Sequence, residues 1–564
     1  MARWHQIVAW SLAAAVPLAF LAVFFALPVT ALALRGFAPE GQVDLSGFAE
    51  VFGRDRTWRI VRLTLALGLA GTFFSVVLGV PGAYVLYRRT FRGQRLLRAF
   101  ITIPFVLPTV VVGVAFRAVL AEGGPLGFLG LDRTVPAIVL ALVFFNYAVV
   151  VRTVGGMWER LDPRTEQAAR ALGASPLRAF WTVTLPALTP AIASAAAVVF
   201  LFCSTAFGVV LVLGGIEYGT IETEIWVQTT QFLDLRAAAV LSVLQLTVVT
   251  AALAVFSRAR SRREAALRLQ GLTHQARPLR LWHGPGPRAP RGRPGPDLPA
   301  TVLTAAVILG LLALPLATLV VRSLRTPTGW GLGNYAALGT TGGRNALTVT
   351  VWEAAANSLR VAVDATVIAV VVGTLVALVV SRRPRNRPAR AAVSVLDAVF
   401  MLPLGVSAVT VGFGFLLTLN RPPLDLRSSM ILIPIAQAVV AIPMVVRTVL
   451  PVLRAIDPRL RQAAAVLGAS PGRVLAHIDG PYLVRSMGLA IGFAFAISLG
   501  EFGATAFLAR PDAPTLPVVI FRLIGRPGAE NYGMALAAAV VLALLTATIM
   551  GLAERLRSER TGEF

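Results

Sequence analysis

The side chains of this chain that could do chemistry are few and oddly placed. The stretch LDPRTEQAARALGASP begins at Leu161, and a near copy, IDPRLRQAAAVLGASP, begins at Ile456. Elsewhere Asn146, Asp364 and Glu501 stand inside long apolar runs, where a polar or ionisable group is costly and is a default candidate for contact with a solute. The alternative for each is a hydrogen bond between neighbouring helices. His5, His274, His283 and His477 show no metal-ligand spacing. The single Cys203 permits neither an intrachain disulfide nor a thiol metal cluster, which leaves it a small packing residue. All 52 basic side chains are Arg. The phosphate-cradling loop G-x-x-x-x-G-K-[ST] needs a Lys to reach the β- and γ-phosphates, so an ATPase site of that kind is ruled out. No catalytic residue, metal or cofactor is assigned to this chain.

The scaffold that positions these residues has to be a membrane one. Of 564 residues, 56% are hydrophobic and 14% charged, with a mean hydropathy of +0.75, which no soluble globular domain matches. About 20 apolar helical residues cross a hydrocarbon core. Twelve runs meet that length, near 10–34, 60–87, 100–120, 135–151, 186–213, 235–257, 300–321, 357–380, 396–419, 429–446, 483–508 and 534–553. They are too long and too uniform for transmembrane β-strands. The first run is about twice a secretory signal's usual apolar length, and is read as an uncleaved span.

A net charge of +25 would suggest nucleic acid in a soluble protein, but the arginines follow the spans. With the N-terminus inside, the inner connections 88–98, 152–185, 258–299, 381–395 and 447–482 hold 30 Arg, and the outer ones hold 13. Both termini are therefore expected in the cytoplasm, and no nucleic-acid partner is expected.

The two polar stretches belong to a larger repeat. Asp162 and Asp457, Gly173 and Gly468, and Phe207 and Phe502 are each 295 residues apart. The expectation is an all-α polytopic protein of about twelve transmembrane helices, arranged as two parallel six-helix units, residues 1–257 and 300–564. Six spans are an even number, so the units relate by a pseudo-twofold axis along the membrane normal, with a pathway between them. Residues 258–299, rich in Pro, Gly and Arg, read as a cytoplasmic solvated linker.

Each polar stretch encodes a helical elbow. Asp162 caps and Pro163 starts a helix, since Asp accepts from free backbone N–H groups and Pro lacks the donor that would go unused. Gly173 ends it in the left-handed conformation. Ser175 and Pro176 restart a second helix, and Asp457, Pro458, Gly468, Ser470 and Pro471 repeat the device. Any loop between spans could form one capped helix pair, but two in one register point to docking against another protein.

These residues resemble the EAA loop of type I ABC importer permeases, E-A-A-x3-G followed by L-P thirteen residues after the Gly. Here it reads Gln167-Ala168-Ala169-x3-Gly173 with Leu185-Pro186, and Gln462-Ala463-Ala464-x3-Gly468 with Gly480-Pro481. Gln in place of Glu at both starts puts any charge contact made through that Glu in doubt. The resemblance implies the type I importer transmembrane fold in a bacterial inner membrane. It also implies two copies of a separate ATPase subunit, which bind ATP and Mg, and an extracytoplasmic solute-binding protein. Asp162, Gln167, Ala168, Ala169, Gly173, Asp457, Gln462, Ala463, Ala464 and Gly468 would be the ATPase-coupling residues.

Fused permeases of this kind resemble the thiamine and ferric-iron importers, and SLGEFGATAFLARPDAPTLPVVIFRLIGRPG from Ser498 is more similar to the thiamine branch. Sulfate and molybdate relatives also carry S-L-G-E-F-G. The segments around Trp226 and Phe521, in one register, read either as an outer gate or as an aromatic membrane belt. An ion-gradient transporter would require paired midspan acids, which the sequence scarcely offers.

Overall fold

Backbone groups in hydrocarbon must be satisfied within their own segment, so these apolar runs can fold only as helices. The computed structural model describes residues 13–38, 41–215, 217–264, 277–281, 295–382, 387–419, 425–426 and 429–558. Among them, ten helices are long and apolar enough to cross a membrane, and a further apolar helix pair is bent by 105° between its members. Their order is α1 (Ala13–Phe37), α2 (Asp55–Arg88), the bent pair α3 (Gln94–Val106) and α4 (Thr109–Leu120), α5 (Val135–Trp158), a short polar α6 (Pro163–Ala171), α7 (Pro176–Ser204), a short α8 (Ile221–Thr230) and α9 (Leu235–Glu264). The second half runs α10 (Leu298–Ser323), α11 (Val351–Val380), α12 (Arg387–Met401), α13 (Ala408–Thr418), α14 (Leu432–Ala455), α15 (Pro458–Val466), α16 (Pro471–Gly500), α17 (Leu516–Gly525) and α18 (Ala529–Ser558). The all-α polytopic class holds. Strand pairing among the described residues amounts to two ladders of two-residue strands.

Four of the expected runs are broken where hydropathy alone shows no break. Run 100–120 bends at Leu107, held extended (ψ 138°) by the Pro108 that follows. Its counterpart, 396–419, is interrupted by a 3-10 turn at Leu402–Gly405, after which Ser407 Oγ accepts from the Thr410 N–H at 3.0 Å and caps α13. Runs 186–213 and 483–508 stop at Ser204 and Gly500 and resume as short helices at Gly208 and Thr505. Irregular backbone is tolerated at membrane depth only where protein or a cavity surrounds it. These breaks face one another across the boundary between the halves.

The first helix of each half packs into the other half. Leu21 and Phe25 of α1 sit in a core with Val372, Val376 and Val445, whereas Val307, Ile308 and Leu312 of α10 sit in a core with Leu67, Ile138 and Val199. Gly414 of α13 is required by this exchange, because a Cβ there would lie 2.9 Å from Pro28 Cβ. On the other side, Arg322 of α10 donates to the Ala118 carbonyl of α4 at 2.8 Å.

Parts of the expected solvated linker are held. Arg277–Pro278 pairs in parallel with Arg89–Thr90 at the end of α2. Asp297 is fully buried, where it accepts from Tyr84 Oη at 2.6 Å and from the Arg280 N–H at 2.8 Å and pairs with Arg89 at 2.7 Å. A segment without an apolar core of its own is ordered here by partners borrowed from α2. Much of 258–299, with His274 and His283, lies outside the described residues.

Candidate functional site: two elbows and a cavity between the halves

Both elbows fold as their residues dictate. Asp162 accepts from the Arg164 N–H and Asp457 from the Arg459 N–H, each at 2.9 Å. Gly173 and Gly468 take φ of +90° and +78°. The chain-reversing pair of bonds then closes each helix: Ala174 N–H to the Ala169 carbonyl at 3.1 Å, and Ala469 N–H to the Ala464 carbonyl at 2.9 Å. Beyond the glycine, Ser175 and Ser470 accept from the Arg178 and Arg473 N–H groups. The second helix of each elbow runs unbroken into the membrane as α7 or α16.

The exposed surface of the elbows is apolar where it projects most. Leu172, Val466 and Leu467 are 89%, 87% and 86% exposed. Gln167, Ala168, Gln462 and Ala463 are exposed as well, and Ala169 and Ala464 are half-buried. Small side chains flanked by protruding apolar tips suit close approach by a second protein.

The helix breaks enclose a cavity of about 330 Å³ between the halves. Its wall is mostly apolar and aromatic, including Phe105, Phe145, Phe202, Phe207 and Phe502, with Thr109, Asn146, Thr205, Ser407 and Glu501 as polar points. Gly208 and Gly412 let the breaks meet, since a Cβ would lie 2.4 Å from Thr109 Oγ1 and 2.6 Å from Ala504 Cα respectively. Phe207 and Phe502 extend into a group with Trp226 and Phe521, whose rings lie 6.0 Å apart at 89°. The group stands roughly 40 Å along α7 and α16 from the elbows, since these helices of 29 and 30 residues rise about 1.5 Å per residue.

Of the three polar residues singled out in the sequence, the structure brings two to this cavity. Asn146, 2% exposed, donates through Nδ2 to the Leu142 carbonyl at 2.9 Å and to Cys203 Sγ at 3.4 Å, while its Oδ1 has no partner among the described residues. Glu501, 7% exposed, turns its carboxylate onto the next turn of chain. It accepts from the Ala504 N–H at 2.7 Å, the Thr505 N–H at 3.0 Å and Thr505 Oγ1 at 2.6 Å. The acid thus holds the start of the short helix Thr505–Leu508, a bond within its own chain segment rather than to a neighbouring span. Asp364 is not at the cavity. It lies on the exposed flank of α11 with Val363 and Val367, because the buried stripe of that helix passes through Ala362 and Ala365 instead.

Sequence reasoning missed Glu222. This carboxylate is fully buried on α8, and its Oε2 accepts from Ser407 Oγ of the other half at 2.8 Å. Its Oε1 has no hydrogen-bond partner among the described residues. Two other glutamates, Glu217 and Glu224, stand in the same stretch, and nothing in the sequence separates Glu222 from them.

Comparison with known proteins fits this architecture. Residues 71–263 match the family of binding-protein-dependent transport system inner membrane components. The thiamine transport system permease protein ThiP of Escherichia coli (strain K12) is 28% identical over 533 residues, covering 93% of this chain and 94% of that protein. Its counterpart from Brucella abortus (strain 2308) is 26% identical over 558 residues, covering 97% and 95%. The sulfate transport system permease protein CysT of Salmonella typhimurium is 31% identical over 236 residues, 40% of this chain and 84% of that protein. A single-unit relative thus matches part of the chain, and two-unit relatives match nearly all of it. With its paired elbows and two interlocked sets of spans, the chain belongs to the binding-protein-dependent transport system inner membrane components, the permease subunits of type I ABC importers.

Proposed function

We propose that this permease carries thiamine inward across a bacterial cytoplasmic membrane. The observation that carries the reading is the similarity to thiamine permeases over 93% and 97% of the chain, whereas the sulfate permease matches 40% of it. An aromatic-lined cavity between the halves is consistent with a flat cationic solute, for which a desolvated ring face is worth up to about 2 kcal/mol. The polar Asn146 Oδ1 would add an acceptor in the same wall.

In this reading residues 1–257 and 300–564 form the two units, the elbows and both termini are cytoplasmic, and two ATPase subunits dock on the elbows. Asp162, Gln167, Ala168, Ala169 and Gly173, with Asp457, Gln462, Ala463, Ala464 and Gly468, form the docking surface. ATP and Mg are held by those subunits, not by this chain. ATP-driven approach of the elbows parts the aromatic group, opens the cavity outward and admits solute from an extracytoplasmic binding protein. Release of the nucleotide products lets the aromatic group close again.

The deciding experiment is calorimetric titration of the cognate binding protein with thiamine and with ferric citrate, followed by uptake in liposomes holding the full complex. Thiamine binding and thiamine uptake support the assignment. Iron binding with no thiamine signal overturns the substrate and leaves the importer standing.

A further inference from the structure

The second elbow is tied to the membrane by a buried acid that the first elbow lacks. Asp479 is fully buried on α16, just before Gly480. Its Oδ1 accepts from Arg461 Nε at 2.7 Å and its Oδ2 from Arg382 Nη2 at 2.8 Å. Arg461 belongs to the elbow helix α15, and Arg382 follows the end of α11. Arg461 Nη2 also donates to the Leu453 carbonyl near the end of α14, at 3.1 Å. The elbow helix and the elbow-side ends of three spans therefore meet at one carboxylate.

In the register of the repeat the first half has Thr184 for Asp479, Glu166 for Arg461 and Arg88 for Arg382. These three line one small cavity at the equivalent place. Each half thus sets an acid and an arginine between elbow and spans, but the acid rides on the elbow in the first half and on the span in the second. The junction between elbow and spans thus carries charge in both halves, and in the second half that charge is drawn into a buried pair of hydrogen bonds.

We propose that Asp479 is a positioning residue that transmits movement of the second elbow to α11, α14 and α16 through Arg461 and Arg382. The inference rests on the coupling role proposed for the elbows. A carboxylate out of water loses a charge-assisted hydrogen bond that water cannot replace when either guanidinium moves away from it. The elbow and these span ends consequently move as one body, whereas an exposed ion pair would yield.

The test uses the complete complex with its ATPase and binding protein in liposomes. Asp479→Asn should assemble and keep basal ATP hydrolysis, while binding-protein-stimulated hydrolysis and uptake fall about tenfold, the order of a coupling free energy between sites. The double variant Arg461→Glu with Asp479→Thr, which installs the first half's residues, should recover most of the loss. Stimulation at the parent level in an assembled Asp479→Asn complex overturns the proposal, as does an assembled double variant that stays uncoupled. If Asp479→Asn fails to assemble, Arg461→Gln takes its place, with assembled-but-uncoupled supporting the proposal and unchanged stimulation overturning it. Gly468→Val measured in parallel tests the elbow reading separately, since unchanged stimulation there removes the elbow from coupling whatever Asp479 does.

Discussion

Phe207 and Phe502 stack across the boundary between the halves, with ring centroids 5.4 Å apart and planes inclined by 22°. They occupy the same position of the repeat and follow the ends of α7 and α16. Trp226 and Phe521, also matched in the repeat, flank them: Phe207 lies 6.4 Å from Trp226, and Phe502 lies 5.4 Å from Phe521. Four aromatics at matched positions of the repeat thus make one contact between the halves.

Phe207→Ala combined with Phe502→Ala should leave a membrane-inserted complex that hydrolyses ATP several-fold faster without binding protein and imports less solute per ATP. An aromatic pair is worth about 0.5–1.5 kcal/mol beyond its buried area, enough to shift a gate equilibrium by several-fold. Parent-level basal hydrolysis in the double variant removes these rings from the gate.

At the elbows, Gly173→Val and Gly468→Val place a β-branched residue at φ near +90° and +78°, at a strain of order 1–3 kcal/mol. Each should preserve insertion while lowering stimulated ATP hydrolysis, and the pair should abolish it. Hydrolysis assays on purified complexes read this directly. Normal stimulation with the ATPase still bound contradicts the docking assignment.

The Glu222 to Ser407 contact joins the halves beside the cavity. Ser407→Ala removes the donor and leaves the buried Glu222 carboxylate without its partner, a loss of about 1–3 kcal/mol. Glu222→Gln retains an acceptor for Ser407 and should cost less. Thermal unfolding of the detergent-solubilised complex checks the order, and a double-mutant cycle isolates the pair. Additive effects of Glu222→Ala and Ser407→Ala would show the contact to be energetically silent.

Glu501 makes three hydrogen bonds to the turn that follows it, so Glu501→Ala should destabilise by about 0.5–2 kcal/mol, as loss of a helix cap does. Glu501→Gln keeps one acceptor oxygen and should fold. Uptake by the Gln variant separates the roles: a parent-level rate confines Glu501 to capping, and a reduced rate in an intact complex places its charge in the pathway.

Local and periodic information was legible in the residues themselves. The elbows are set by Asp, Pro, Gly and Ser acting on their own backbone neighbours within a few residues, and the structure draws them bond for bond. The repeat was visible because Asp162 and Asp457, or Phe207 and Phe502, keep one spacing. Hydropathy could not reveal the breaks at Leu107, Ser204, Leu402 and Gly500, because most residues lining the cavity are as apolar as those facing lipid. The two readings of Glu501, pathway acid or hydrogen-bonding partner, could not be separated for the same reason: burial within a span is visible in sequence, but the direction of its carboxylate is not.

By itself, then, the sequence determined the helical class, the elbows with their caps, and the pairing of Phe207 with Phe502 by register. Tertiary structure alone decided that α1 and α10 exchange between halves, that Asp364 points away from the cavity, and that Asp479 gathers Arg382 and Arg461. Each of these turns on which face of a helix meets which neighbour. Among helices in lipid that choice is made by shape and buried polar pairing, and hydropathy alone does not name the neighbour.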